Sequence, residues 1–545
     1  MLVMMVGVRA ATLPAPLTAQ ASPAPTPRAP LDSARHVLDR LAYGTTPGLA
    51  EAIARQGVMT WIERQLGFED LDDPGLRTTL AGFDLLSTPT EELLRQFTEA
   101  QRQRRLRQQA GPPPSPSPSP SPGAQPGEAG LRRLIAQLPQ LVVVRGIRSE
   151  RQLGEIMADF WFNHFNIFIG KNLDRVYLPE YVEGTIRANA LGRFEDLLIA
   201  TAHSPAMMIY LDNAQSVAPG SEPPAPRFRA VARLGLDSLR RLAEQRRPTG
   251  INENYARELL ELHSLGVNGG YTQKDVTEVA RILTGWSVAP FRPALGRLGG
   301  GFVFNPWAHD EGAKTVMGAA FPAGRGEEEG IRLIELLAAH PSTRHFVSAK
   351  LCARFVNDDP PDGCVDDAVR AWQQSDGDIR QVLRAIFRSP DFWAPKNIGA
   401  KVKSPLEFVV SAVRALGGVP DSTPRLSLAV GRLGQPLYQH VAPNGYGERQ
   451  EDWVNSGALL NRMNLAMALA ANRAPGVSVD LDRVVPLAER AEDLVESVNR
   501  TILTGRMSAQ TRQVIMNEIA GMANPAAARA VAVGLAIGGP EFQRQ

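Results

Sequence analysis

Three segments carry residue types able to do chemistry. The first is Asn305–Thr315, where His309, Asp310, Glu311 and Lys314 stand in a Gly- and Pro-containing stretch that reads as a loop. A His–Asp neighbour pair suits an imidazole acting as general base, and Lys314 suits an anion or a developing oxyanion. A loop-stabilising salt bridge is the alternative, and function is favoured because a loop histidine has less structural reason to be there than a helical one. The second is Asn252–Gly285. Asn252 is a candidate N-cap, and Asn254, Glu258, Glu261 and Leu265 fall at i, i+4, i+7 and i+11 of one helical face. Two carboxylates three apart suit an acid–base pair or a cation, and suit equally a solvated face ion-paired with Arg257 and Arg281. Glu258 and His263 point about 140° apart on an ideal helix, so His263 is read as a core histidine. Thr272 with Asp275 reads as a capping box.

The third is Asp159–Asn166, in which Asp159, Asn163 and Asn166 lie at i, i+4 and i+7 beside a Trp161, His164, Phe168 stripe. Amides and a carboxylate in so aromatic a helix are costly unless partnered, so they either form a buried network or line a pocket. Tyr210-Leu211-Asp212-Asn213 and Asn444-Gly445-Tyr446 are polar-aromatic clusters at element ends, fit for a pocket rim or for ordinary caps and turns. The resulting expectation is a hydrolase or lyase acting on an extracellular or envelope polymer such as a saccharide. His309, Asp310, Glu258 and Glu261 share its acid–base work. Asn163, His164, Asn166, Asn254, Tyr255, Lys314, Tyr210 and Asp212 bind substrate. No residue is assigned to a metal, although a metal-dependent version would use His164 and His309 with a carboxylate. The competing expectation is a non-catalytic exported surface or secretion-associated protein. There is no HExxH, no CxxC pair, no GxSxG, no Walker A and no GxGxxG, so no cofactor is read.

The elements that must position these groups are helical. Residues 31 to about 70 show helical spacing, with Thr45-Thr46-Pro47 opening a new helix. The pattern is nearly continuous from Leu131 to about Ala289, broken by a Pro/Gly/Ser-rich loop at Val217–Pro226, and resumes after Glu327. Phe302-Val303-Phe304 and Thr315-Val316-Met317 flank a turn-rich centre, which predicts a small hairpin over 301–318. The expected fold class is all-α with that β excursion. The chain divides into a leader and Pro-rich spacer (1–30), an N-terminal helical region (31–110), a Pro/Ser-rich linker (111–130), a main helical body (131–475) and a C-terminal helical region (476–545).

Several segments together resemble the bacterial family called domain of unknown function 1800. They are Arg35–Leu41 with Tyr43-Gly44, Asp159–Asn166, Ala206–Asn213, Asn252–Gly285, His309-Asp310 with Gly312, Lys314 and Thr315, and Lys401–Phe408. They run in order over nearly the whole chain. The resemblance implies a bacterial protein, commonly exported, large and helical, and it brings no activity with it.

Composition sets the remaining bounds. Hydrophobic residues make up 43% and charged residues 21%, enough for a large core. Lys+Arg total 59 against Asp+Glu 57, a balance that gives nucleic acid no electrostatic foothold. Apolar Met1–Val8 followed by Ala19-Gln20-Ala21 resembles a signal peptide with its cleavage site, although no basic residue precedes the apolar run. Export to the periplasm or beyond is therefore expected, with no membrane span in the mature chain and the oligomeric state open. Cys352 and Cys364 fit either a disulfide or two free buried thiols.

Overall fold

The computed structural model describes residues 30–110, 126–171, 173–222, 250–289, 291–292, 297–298 and 300–545. The leader with Ala19-Gln20-Ala21 and the Ser-Pro tract up to residue 125 lie outside them. A helix begins at Pro126, inside the stretch read as linker, and runs to Arg148.

The fold is mainly helical, with small two-stranded antiparallel sheets. Local signals explain many of its helices. Residues 31–70 form helices Pro30–Leu41, Leu49–Gln56 and Val58–Leu66, the last two separated by Gly57 at φ +101. Thr272 and Asp275 form the expected capping box at helix Gln273–Ile282, and Ser404 with Glu407 forms another at helix Pro405–Ala415. Helix Ile379–Arg388 starts on the Asp378 side chain and buries Ile379, Val382, Leu383, Ile386 and Phe387, the i, i+3, i+4, i+7, i+8 stripe of an amphipathic helix. Removing five such side chains from water is worth on the order of 10 kcal/mol before entropy is counted. That stripe packs against helix Asp362–Ser375.

Cys352, on helix Pro341–Phe355, is bridged to Cys364 on helix Asp362–Ser375. The bridge fixes the approach of two consecutive helices. Two other segments are π-helical, Tyr181–Ile186 and Leu259–Ser264. Their wider turn carries side chains off the face that a 3.6-residue period predicts.

The β excursion is present, but its two runs do not pair with each other. Phe302–Phe304 pairs with Trp286–Val288, and Lys314–Val316 pairs with Ala319–Phe321. Pairing follows the nearer turn: Met317 and Gly318, both at positive φ, close the second hairpin within two residues.

One hydrophobic cluster runs from Ala34 to Phe542, so the first and last helices share a core with the middle of the chain. The C-terminal residues join it through backbone pairing of Gln545 with Lys401 and a bond from the Lys403 N–H to the Gln543 carbonyl. Among the described residues no helix is long and apolar enough to cross a membrane.

Candidate active site

The His309 segment is a closed structural cluster. His309 is 5% exposed and its Nδ1 donates to the Thr284 carbonyl at 2.9 Å, while Nε2 stands 3.6 Å from Glu329. Lys314 ion-pairs with Glu329 at 2.6 Å and also donates to the Asp310 carbonyl. The Asp310 carboxylate is taken by Arg281, at 2.8 and 3.0 Å. It is therefore turned to Arg281, and the geometry gives a His309–Asp310 dyad no support. The hydrogen bonds from Arg281 hold the Asp310 carboxyl below its ordinary range.

The second segment is also dispersed. The π-helix begins directly after Glu258, so the ideal 3.6-residue projection does not apply between Glu258 and Glu261. Glu258 is half-buried, and burial followed by Glu261 pushes its carboxyl up. Glu261 accepts from the Tyr271 hydroxyl at 3.3 Å. Asn254 is exposed, with its N–H on the Asn252 side chain, whereas Tyr255 is fully buried. His263 is a core residue, 1% exposed, and burial lowers its imidazole to about 3.

His164 is buried between Lys350, which donates to Nδ1 at 2.9 Å, and the His263 carbonyl, 3.2 Å from Nε2. An ammonium only donates and a carbonyl only accepts, so the imidazole is neutral with its proton on Nε2. Burial and then Lys350 hold it well below its usual value. Among the described residues no three His, Cys, Asp or Glu side chains gather as a metal would require.

The third segment opens onto a cavity. Asp159, Asn163 and Asn166 line a partly enclosed space of about 90 Å³. Its walls come from helices Pro126–Arg148, Gln152–His164, Pro341–Phe355 and Pro405–Ala415, from Tyr43, and from the loop between Gln435 and Trp453.

Two clamps hold that loop in place. The Asn163 side chain accepts from the Tyr446 N–H at 2.7 Å and donates to the Tyr446 carbonyl at 2.8 Å, as a neighbouring strand would. Asn166 donates to the carbonyls of His440 and Ala442 at 3.1 and 2.8 Å. Gly445 sits at φ +70, where a Cβ would run into the Asn163 backbone and side chain, so only glycine lets the loop lie this close. The Tyr210 hydroxyl adds a bond to the Val441 carbonyl at 2.7 Å, and Lys171 ties the Tyr210 carbonyl to the Asp212 carboxylate. Asn163, Asn166 and Tyr210 thus meet on one loop as supports. His164, Glu258, Glu261, His309, Asp310 and Lys314 do not line the cavity.

The cavity is rich in paired charge. Arg187 grips Glu155 through two bonds of 2.6 and 2.9 Å, and Arg145 pairs with Glu183. Arg354 pairs with Glu407 at 2.6 Å, and Glu407 also takes the Ser404 N–H and the Gln545 amide. Burial alone would raise the Glu407 carboxyl, but Arg354 and these donors hold it at about 2. Lys401 is paired with Asp358.

Asp159 is the exception. Its carboxyl faces the cavity with no hydrogen-bond or ion-pair partner among the described residues, and burial pushes it up to about 7 against the pull of Arg354. Glu448, on the clamped loop, lines the same space and acts on Asp159 as a like charge. Glu407 is fully engaged by its partners, so Asp159 and Glu448 are the two cavity carboxyl groups that can divide acid and base roles.

Sequence reasoning missed Tyr43, Arg354, Lys401, Glu407 and Glu448 as cavity residues. Tyr43 and Lys401–Phe408 lay within the segments that carried the family resemblance, which was the available signal.

Fold and cavity together define a mainly helical protein, stapled by one disulfide and built around an internal charged pocket. The chain belongs to the protein family of unknown function DUF1800, whose pattern matches residues 36–544. No curated protein and no solved structure matches it.

Proposed function

We propose that the cavity is the active site of an exported hydrolase or lyase, with Asp159 as proton donor and Glu448 as the carboxylate that complements it. The observation that carries this reading is Asp159: a cavity-lining carboxyl, without a partner, that is half protonated near pH 7. A group whose pKa lies near the working pH is the most effective proton donor or acceptor. The His309 and Glu258 segments give up the acid–base role assigned to them, and Asn163, Asn166 and Tyr210 act by holding the Glu448 loop.

A space of about 90 Å³ takes a small polar group or the end unit of a polymer, not a strand in passage. Phe162, Tyr438, Tyr446 and Trp453 supply aromatic surface for a ring such as a sugar. The disulfide supports export, since such bridges persist in oxidising compartments.

The test is a screen of envelope and extracellular polymers for product release, comparing wild type with Asp159→Asn and Glu448→Gln. Loss of a proton donor reduces turnover about 100-fold or more. An Asp159→Asn protein that turns over such a substrate at the wild-type rate, or an Asp159 carboxyl that titrates in the ordinary range, defeats the reading.

A further inference from the structure

A second cavity group has no partner, and it bears on what the cavity accepts. Tyr43 is 3% exposed and lines the cavity, yet its hydroxyl has no hydrogen-bond partner among the described residues. Its position is fixed. The Tyr43 N–H donates to Gln152 Oε1 at 3.0 Å, and the ring lies so close to Gly146 that a Cβ there would meet it at 3.3 Å. Tyr43 and Asp159 line the same cavity of about 90 Å³, and after burial the Asp159 carboxylate is the charge that acts most strongly on the Tyr43 hydroxyl.

The cations that line the cavity are each turned to another carboxylate, Arg354 to Glu407, Arg187 to Glu155, Arg145 to Glu183 and Lys401 to Asp358, and none bonds to Tyr43 or Asp159. Buried hydroxyl groups are normally hydrogen-bonded, so the unpartnered Tyr43 hydroxyl on the same small cavity as the unpaired Asp159 carboxyl marks a place where a ligand completes the bonding.

We propose that Tyr43 and Asp159 form a two-donor seat for a single substrate oxygen in this cavity, so that the cavity takes a carbonyl compound and stabilises negative charge developing on its oxygen. This rests on the reading of Asp159 as a neutral acid in the cavity and narrows its substrate. A tyrosine hydroxyl beside a neutral carboxylic acid is one way to build an oxyanion hole. An acetal oxygen, which never becomes an oxyanion while the bond to its carbon is intact, uses such a seat poorly. Ionisation of Asp159 converts its donor into a repelling charge. Besides Tyr43, the groups facing Asp159 are Arg354, Glu407 and Glu448, and only Arg354 favours the ionised form.

The probe is pentafluorophenolate, a small oxyanion, with hexafluorobenzene as the match lacking the oxygen. Binding to the full-length protein is measured by calorimetry at pH 6 and pH 8.5, with Asp159 followed by carbon-detected NMR. Wild type is expected to bind the phenolate and not hexafluorobenzene, and to lose about tenfold in affinity between the two pH values as Asp159 ionises. Tyr43→Phe, which keeps the ring and its packing, is expected to weaken phenolate binding about tenfold at pH 6. Asp159→Asn, which keeps a donor but does not titrate, is expected to bind with no pH dependence.

Absence of phenolate binding, or equal binding by Tyr43→Phe, overturns the seat. If Asp159 still titrates near 7 in that case, the proton-donor reading stands and only the carbonyl inference falls. If Asp159 titrates in the ordinary carboxylate range, both fall.

Discussion

Replacing Asp159 by asparagine should stabilise the protein, and by more at pH 8 than at pH 5. In the folded state the carboxyl is raised from its ordinary 3.8 to about 7, chiefly by burial. Between those values the native state holds a proton that the unfolded state has released. Native stability therefore falls as pH rises through that window, is free of the penalty below it, and carries the full penalty above it.

The interval corresponds to about 4 kcal/mol at about 1.36 kcal/mol per pH unit. At pH 5 only about 1.6 kcal/mol of it has accrued. Asparagine has nearly the same shape and no charge, so it escapes the penalty at every pH. Urea unfolding midpoints of wild type and Asp159→Asn, measured from pH 5 to 8.5, should diverge by about 2.5 kcal/mol over that range. A difference between the two proteins that stays flat with pH refutes the reasoning, since no electrostatic penalty would then be attached to this group.

Three other outcomes follow from the same geometry. Asn163→Ala removes both bonds to the Tyr446 backbone; it should destabilise by about 2 kcal/mol and speed hydrogen exchange selectively between residues 436 and 449, and unchanged exchange there would contradict the clamp. Lys314→Met leaves Glu329, whose side chain is 1% exposed, without its cation; urea midpoints should show a loss of about 3 to 5 kcal/mol, and a loss below about 1 kcal/mol would mean the pair is not buried as described. The double variant Cys352→Ser, Cys364→Ser opens a loop of sequence separation 12 and should lose about 3 kcal/mol, whereas no change in the unfolding midpoint would show that packing alone fixes those two helices.

Local grammar was legible; long-range pairing was not. The Thr272–Asp275 box and the polar face of Asp159, Asn163 and Asn166 each depend on residues within seven positions of one another, and each has a structural counterpart. The Asn444–Tyr446 cluster was marked as rim material, but its clamp to Asn163 spans 283 residues and has no periodic signal.

Arg354 and Glu407 illustrate the same limit, because a buried pair reads in sequence as two unrelated surface charges. The Glu258 and Glu261 face was hard to project for a different reason: the π-helix from Leu259 to Ser264 departs from the 3.6-residue turn, which leaves no mark in the sequence. At His309 and Asp310, adjacency in the chain was taken for adjacency of function. Arg281, 29 positions away, decides where that carboxylate points.

The 283-residue span of the clamp sets a timetable for biosynthesis. A ribosome adding about 5 to 20 residues per second brings out Tyr446 roughly 14 to 57 s after Asn163. Throughout that interval the cavity face of the helix bearing Asp159 is covered only by its nearer walls, such as Leu138, Leu141 and Val182, and not by the Gln435–Trp453 loop. The Asp159 cavity is thus among the last features of the fold to be completed as the chain is made.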